Sequence, residues 1–322
     1  MSSRRKVSLG ALLLVATTLG LLAGGRAAAQ TTGRPVIRFL VASAGGFDQR
    51  GFVQEYARVL PGIEFRIVSS DRQGTRLEDL QSGEVDLTIN ASQTAFVAFS
   101  GQLETTKERF DQLRAISALG VVPLHLVVGA RSGIQSVADL RGRSVNVGVR
   151  AGENYRLAQS VLDAFGLHVG TYQPYSLSYA DGAAHLIAGK IDAMFVVGSY
   201  PGRAVLSVTE KNHGRLVPID GEPADRLRLN SGFLHAALIP TGTYPGQTKS
   251  IRTIGVQNLL LCRRDLDEAL VYQLTKQLFV ALPRLSSIVS SIRLMDIDQA
   301  SATSIPLHEG AARYYREREL SR

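Results

Sequence analysis

Short runs of β-branched and aliphatic residues alternate with longer amphipathic segments along most of this chain. Residues 36–42 predict a first strand, and residues 51–60 predict a helix with its apolar residues on one face. Residues 154–165 repeat the helical spacing, and Gly166 is placed to end that helix. A further helix is expected from Asp265 to a stop at Pro283. This alternation is typical of a mainly parallel α/β fold.

A near-repeat inside the chain indicates two halves of similar build. Residues 80–87 read LQSGEVDL, and residues 186–193 read LIAGKIDA. Each copy begins with the end of a helix and continues with a glycine able to adopt positive φ. An aliphatic residue and an aspartate then lead into a buried strand. The offset of 106 residues (186 − 80) is too long for a solenoid and suits two lobes with one copy each. Chance recurrence of a helix–glycine–strand junction is the alternative interpretation.

Two long apolar runs predict how the halves are connected. Residues 119–129 and 251–262 both exceed the usual strand length of about five or six residues. A pair of long strands crossing between the halves would form a hinge. We therefore expect one lobe at residues 34–122 plus 258–322 and an inserted lobe at residues 127–252. A ligand would bind in the cleft between them, at the carboxyl ends of the strands.

The first 29 residues have the pattern of an export signal. Residues 4–6 are basic, residues 9–23 are apolar, and Ala27-Ala28-Ala29 has the small-x-small form of a cleavage site. We expect residues 1–29 to be a signal peptide, cleaved near Ala29, and the mature protein to lie in the periplasm without a membrane-embedded segment. An uncleaved anchor is the competing interpretation. Both the Sec and the twin-arginine export routes stay open.

Charge and cysteine content narrow the range of partners. The chain has 36 basic and 28 acidic residues, and removing residues 1–29 takes away four basic ones, which leaves 32 − 28 = +4. This charge favours anions mildly. No arginine-rich run or basic patch interleaved with aromatic residues is present, so nucleic acid is not an expected partner. The single cysteine, Cys262, precludes an internal disulfide.

The motifs of common enzyme classes are missing, whereas small polar strand-to-helix junctions recur. The chain contains no H-E-x-x-H, C-x-x-C, G-x-S-x-G or Walker A pattern, and its six histidines have no metal-ligand spacing. We therefore expect a protein that is not an enzyme, with no metal and no cofactor. Helix N-termini present unpaired N–H groups, and several converging on one cleft make an anion site. Arg50, Arg72 and Arg150 lie beside such junctions and are candidates for gripping a carboxylate.

Four segments give the chain a family resemblance. These are SGIQSVADLRGRSVNVG at 132–148, GKIDAMFVVGSYP at 189–201, GTYPGQTKSIRTIGVQNLLLCRRDLDEALVYQLTKQLF at 242–279, and PLHEGAARYYRE at 306–317. In this order the chain resembles the TAXI class of solute-binding proteins, which serve TRAP transporters. The resemblance implies a two-lobe type II periplasmic binding fold with a central cleft and two crossing hinge strands. It also implies a membrane permease as partner and a glutamate- or glutamine-like carboxylate as ligand.

The resemblance also assigns ligand-binding positions. With the arginines and the residues at each junction, the expected contacts are Gly45, Gly46, Phe47, Asp48, Gln49, Arg50, Arg72, Gly74, Thr75, Asn90, Ser92, Arg150, Gly152, Glu153, Asn154, Tyr155, Gly198 and Ser199. Two loops depart from the family pattern, at residues 47–50 and 150–154. The acidic Asp48 and Glu153 beside the arginines there favour a zwitterion or an amide over a simple dicarboxylate.

Two other functions stay open at this point. The same lobes could present a ligand to a membrane receptor or sensor kinase instead of a permease. An enzyme on the same fold, like the pyrimidine-forming proteins of thiamine synthesis, is a remote third alternative. Those enzymes are intracellular and carry a cysteine-rich motif, which one cysteine and an export signal do not match.

Overall fold

The architecture is taken from a computed structural model that describes residues 34–41, 48–69, 77–103, 106–150, 152–289, 292–293 and 295–321. The expected signal peptide at residues 1–29 lies outside this range. The described residues contain ten strands: β1 Val36–Val41, β2 Glu64–Ser69, β3 Leu87–Ala91, β4 Leu113–Gly129, β5 Ser144–Asn146, β6 Gln173–Tyr175, β7 Ala193–Val197, β8 Gly214–Val217, β9 Leu234–Ile239 and β10 Ile251–Arg263.

Nine α-helices alternate with these strands in the described part of the chain. They are α1 Gln49–Arg58, α2 Leu77–Ser82, α3 Ser92–Phe99, α4 Glu153–Ala164, α5 Tyr179–Ile187, α6 Arg203–Thr209, α7 Glu222–Leu229, α8 Glu268–Ile288 and α9 Glu309–Leu320. Across these segments, no helix has the length and apolar character needed to span a bilayer.

Two parallel strand groups are joined by two long antiparallel strands. The sheet order is β2-β1-β3-β10-β4-β7-β5-β6, with β8 on β4 and β9 on β10. We call the half that contains β1–β3 lobe I and the half that contains β5–β7 lobe II. In lobe I, β1 runs parallel to β2 and β3, and in lobe II, β5 runs parallel to β6 and β7. The connecting strands β4 and β10 have 17 and 13 residues and pair antiparallel to each other. The predicted α/β fold with two lobes and two crossing strands is therefore confirmed.

Each crossing strand changes partners part-way along its length. The first part of β4 pairs with β10, and from Leu124 onward β4 pairs with β7. The register between β4 and β10 shifts beside Gly120, which has a φ of 103°. Such positive φ values suit glycine. By its internal contacts the chain from Arg34 onward forms one compact unit, and the predicted lobe boundaries stay a prediction.

The near-repeat in the sequence corresponds to a repeated structure. In lobe I, Asp86 Oδ2 accepts the backbone N–H of Arg38 at 2.8 Å; in lobe II, Asp192 Oδ2 accepts that of Ser144 at 2.8 Å. The backbone N–H of each aspartate also donates to the carbonyl of the same partner at 2.9 Å. Both pairs are 48 residues apart in sequence. Each aspartate thus joins the start of the third strand to the first strand of its lobe.

Strand register follows the same offset. Phe39 pairs with Leu87 in lobe I, and Val145 pairs with Ala193 in lobe II. The positions differ by 145 − 39 = 106 and 193 − 87 = 106. Chance recurrence of a junction does not account for a shared register together with shared carboxylate–amide bonds.

Both faces of the sheet are covered, which explains the continuous apolar runs. Along β1, Phe39 joins a core cluster with α1 and α8, whereas the next residue, Leu40, joins one with α2 and α3. Along β4, Leu126 and Val127 divide in the same way between two clusters of lobe II. Successive strand residues point to opposite faces, so burial on both sides requires apolar residues at every position.

The long helix α8 corrects one predicted element. It begins at Glu268 behind Asp267, whose side chain accepts the backbone N–H of Leu270 at 2.8 Å. It then continues through Pro283 to Ile288. The predicted stop at Pro283 is therefore wrong. Packing of the buried Ala281 and Leu285 against lobe I on both sides of the proline offsets the helix bond that proline removes.

The repeated aspartate bonds generate a stability prediction. Asp86→Ala leaves the backbone N–H of Arg38 without the acceptor that now bonds it, whereas water can solvate the partly exposed guanidinium, so we expect a loss of about 2 kcal/mol in the free energy of unfolding. Asp192, whose side chain is 32% exposed, should cost less because water replaces part of the loss. The exposed Asp163, paired with His168, is the control and should change stability by less than about 0.5 kcal/mol. Urea unfolding at pH 7 measures all three, and equal effects of Asp86→Ala and Asp163→Ala would contradict the prediction.

Candidate functional site

A cleft with a volume of about 1210 Å³ opens between the two lobes. On the lobe I side it is lined by the ends of β1 and β2 and by the start of α1. On the lobe II side it is lined by the end of β7, residues 198–203, and faces of α5 and α6. The cleft thus lies at the carboxyl ends of parallel strands, the usual ligand position in open α/β sheets.

On the lobe I side, three consecutive residues have different roles. Asp48 caps α1, because its Oδ1 accepts the backbone N–H of Gly51 at 2.9 Å. Gln49 is buried and donates from Nε2 to the carbonyl of Ile89 at 3.3 Å. Arg50 is exposed and donates from Nη2 to Ser69 Oγ at 3.1 Å. Arg50 lines the cleft and forms no ion pair with any described residue.

On the lobe II side, the 198–203 segment places two buried hydroxyl groups at the cleft. Ser199 Oγ and Tyr200 Oη have no hydrogen-bond partner among the described residues. Burial raises the pKa of Tyr200 above its ordinary value. Unpaired buried polar atoms are uncommon in native proteins and indicate a site for water or ligand. Arg203, the first residue of α6, is exposed and likewise has no ion pair in the described residues.

A buried chain of hydrogen bonds supports this segment from behind. The backbone N–H of Gly202 donates to Tyr244 Oη at 2.9 Å, and Tyr244 Oη lies 2.9 Å from His125 Nε2. His125 Nδ1 lies 3.1 Å from the carbonyl oxygen of Val196. A carbonyl oxygen only accepts, so Nδ1 carries the proton and Nε2 accepts from the tyrosine. We call Gly202, Tyr244, His125 and the Val196 carbonyl the buried relay.

Burial keeps both side chains of the buried relay neutral. It lowers the pKa of His125 to about 4, an effect that the carbonyls of Val196 and Pro123 offset only in part. It raises the pKa of Tyr244 to about 12. At neutral pH the imidazole is therefore uncharged, and each hydrogen in the relay has an acceptor.

The predicted site residues fall into three groups. Five line the cleft: Asp48, Gln49, Arg50, Gly198 and Ser199. Six are described but do not line it: Asn90, Ser92, Arg150, Gly152, Asn154 and Tyr155. Six further positions lie outside the described residues: Gly45, Gly46, Phe47, Arg72, Gly74 and Thr75. For Glu153 the backbone is described and the side chain is not.

Two members of the second group use their polar atoms to hold the backbone. Asn154 donates from Nδ2 to the carbonyls of Val147 and Phe195, and its Oδ1 accepts from Val197 N at 2.8 Å. Ser92 is fully buried and donates to the carbonyl of Phe233 at 3.2 Å. These bonds fix the strand ends around the cleft. Ligand contact by the six residues outside the lining stays a prediction.

Sequence reasoning missed Tyr179, Tyr200 and Arg203 as cleft residues. The near-repeat carried a usable signal, because the offset of 106 residues maps Asn90–Gln93 onto Val196–Ser199 (196 − 90 = 106). The junction after β7 is thus equivalent to the one after β3, and the cleft continues from it into α6. Tyr179 starts α5 and donates to the carbonyl of Val197 at 3.0 Å.

The charges at the cleft favour an anion. Among its described lining residues are two arginines, on opposite walls, and one aspartate, which caps a helix. No cluster of three or more metal-binding side chains occurs in the described segments. Cys262 is fully buried in the lobe I core, and burial raises the pKa of its thiol far above the ordinary value.

Comparison with known proteins gives one family and several similar folds. The profile of the NMT1-like family matches residues 58–318. The periplasmic sulfonate-binding protein SsuA from Methylobacillus flagellatus KT has a TM-score of 0.52 and 15% identity over 79% of this chain and 70% of that chain. A TctC solute binding protein from Polaromonas has a TM-score of 0.52 and 16% identity over 82% and 88% of the two chains. XAC2383 from Xanthomonas citri has a TM-score of 0.51 and 15% identity over 88% of this chain and 94% of that chain. The chain therefore has the fold of two-lobe periplasmic binding proteins.

The low pKa of His125 makes folding stability depend on pH. Between its ordinary pKa of 6.5 and the folded value of about 4, the unfolded chain binds a proton that the folded protein does not. Stability from this residue is thus nearly complete well above pH 6.5 and falls as the pH drops towards 4, by about 1.6 kcal/mol between pH 6.5 and 5. We expect His125→Gln to lose less stability than the unaltered protein over this interval.

Urea unfolding at a series of pH values tests this expectation. Burial also lowers the pKa of His235 and His308, but both are present in the two proteins, so their contributions cancel in the comparison. Parallel pH profiles for the two proteins would show that His125 is not the group responsible.

Proposed function

The chain belongs to the NMT1-like family, and on that basis we propose that it is a solute-binding protein that captures a small organic anion between its lobes. The observation that carries the proposal is the placement of Arg50 and Arg203 on opposite walls of one cleft, with no acidic partner among the described residues. A guanidinium group presents paired donors that match a carboxylate or a sulfonate. An anion between the walls would offset the repulsion between these two cations and favour closure.

The rest of the cleft supports a ligand with a carbon skeleton. Tyr179, Ala183 and Ile187 contribute apolar surface, and the unpaired hydroxyls of Ser199 and Tyr200 offer bonds to an acceptor or donor on the ligand. We propose a carboxylate, of glutamate, glutamine or another organic acid, as the first candidate. Sulfonates are the second, because SsuA, a protein of similar fold, is described as sulfonate-binding.

We further propose that the protein acts in the periplasm as the soluble component of a TRAP-type transporter. The four TAXI-like segments at 132–148, 189–201, 242–279 and 306–317 support this role, as does the signal-like pattern of residues 1–29. Ligand capture would shift the lobes toward a closed form that the permease recognises, provided that the ligand binds this form more tightly. The role is binding, without chemical change of the ligand.

Ligand capture predicts a loss of response when either arginine is removed. A thermal-shift screen of the mature protein against amino acids, dicarboxylates and sulfonates should identify an anion that stabilises it, by about 2.7 kcal/mol at 100 times its Kd. We expect Arg203→Ala and Arg50→Ala to weaken this response at least tenfold in Kd and to leave the unliganded Tm nearly unchanged, since both side chains are exposed. Arg226, an exposed arginine of α7 paired with Glu222, is the matched control. A full response in both cleft variants would contradict the assigned site.

Export predicts a defined mature N-terminus. N-terminal sequencing of the protein recovered from a periplasmic fraction should begin at or near Gln30, after the Ala27-Ala28-Ala29 site. Retention of residues 1–29 in a membrane fraction would support the anchored alternative instead.

A further inference from the structure

The buried relay joins the cleft wall to the crossing strand β4 and to the connection that leads into β10. His125 lies on β4 just beyond the point where this strand leaves β10, and it pairs with Val196 in the β4–β7 register. Tyr244 lies in the connection between β9 and β10, seven residues before β10 begins at Ile251. Gly202 lies in the 198–203 segment that carries Ser199 and Tyr200, directly before α6. Three segments that are distant in sequence therefore meet at two neutral side chains.

From this geometry we propose that His125 and Tyr244 are positioning residues of the ligand cleft, which set the place of the 198–203 segment without touching the ligand. Gly202 caps α6 with no side chain of its own, and its N–H donates to Tyr244 Oη. The rings of His125 and Tyr244 meet edge to face, with 5.7 Å between centroids and 82° between planes. This packing and the two hydrogen bonds hold the tyrosine hydroxyl beside Gly202.

The hydrogen bonds of the buried relay all donate in one direction, and in this arrangement every hydrogen has an acceptor. Gly202 N–H donates to Tyr244, Tyr244 O–H donates to His125 Nε2, and His125 Nδ1–H donates to Val196. The groups that act on the imidazole are the tyrosine hydroxyl and the carbonyls of Val196 and Pro123, with no charged side chain from the described residues. Removing one member leaves its neighbour buried without a partner, which frees the wall to move.

Local hydrogen exchange tests the relay without any ligand. Tyr244→Phe removes the acceptor for Gly202, and His125→Asn keeps a donor toward Val196 but loses the acceptor for Tyr244. His125→Gln is the conservative variant, because its side-chain oxygen can reach the place of Nε2. In each full-length variant, mass spectrometry would compare amide exchange in residues 198–209 with that in β1. Tyr172→Phe is the control, because it removes a buried hydroxyl of the same lobe that bonds Gln159 at 2.8 Å.

We expect Tyr244→Phe and His125→Asn to accelerate exchange in residues 198–209 roughly fivefold, the factor for one net hydrogen bond, with β1 unchanged. His125→Gln should recover part of this protection, and Tyr172→Phe should leave the segment unchanged. Acceleration that is equal in residues 198–209 and in β1 would mean a general loss of stability and would overturn the positioning role. No acceleration in Tyr244→Phe would overturn it as well.

A binding measurement adds the functional readout, which rests on the proposed function. With L-glutamate as the probe, Kd should rise about fivefold in Tyr244→Phe and His125→Asn, and should stay unchanged in Tyr172→Phe. An unchanged Kd in the two relay variants would overturn the inference even if exchange had accelerated. Failure of the unaltered protein to bind L-glutamate would count against glutamate in the proposed function, and the exchange experiment would then decide the relay alone.

Discussion

The close backbone contact between β4 and β10 is the constraint on which the two-lobe structure depends. A Cβ atom added at Gly255 would lie 2.4 Å from the carbonyl oxygen of Val122, nearer than two such atoms approach in proteins. Only glycine lets the two crossing strands pair at the point where each strand passes from one lobe into the other. Because the strands pair with each other as well as with both lobes, the lobes share one continuous sheet, and the cleft forms beside the crossing.

Around this crossing, the two lobes repeat one design with different polar residues at the cleft. The repeated aspartates hold the first and third strands of each lobe in the same register, so the junctions after β3 and β7 are equivalent. In lobe I the hydroxyl group of Ser92, the first residue of the helix after this junction, forms hydrogen bonds with the backbone. In lobe II the corresponding segment holds Ser199 and Tyr200 at the cleft, and their hydroxyl oxygens have no hydrogen-bond partner among the described residues. The same framework therefore carries a backbone-bonded junction in one lobe and, in the other, two hydroxyl groups at the cleft without a partner among the described residues.

Periodicity and glycine placement were enough to predict the architecture, because both follow from local backbone geometry and from burial on two faces. The cleft was predicted only in part. Asp48, Gln49 and Arg50 follow the first strand and were within reach of motif reasoning, whereas Arg203 lies beyond the junction, on a helix that tertiary packing turns toward the cleft. Asn154 shows the converse limit, because a polar residue at a helix start can serve either a ligand or the backbone, and only the fold decides. Pro283 likewise lies inside α8 because packing in the folded protein, which the local sequence does not reveal, decides whether the helix continues.

The single thiol of this protein has a practical consequence for an experiment that tests the proposed closure of the lobes. Cys262 lies at 0% exposure between β3 and β4, and burial holds its pKa far above neutrality. Since the thiolate is the reactive form, this cysteine should remain inert toward maleimide dyes and nitroxide labels in the folded protein. A pair of cysteines introduced on the surface, one in each half, would then be the sole targets for labelling. Their separation would report opening and closing in the otherwise native sequence.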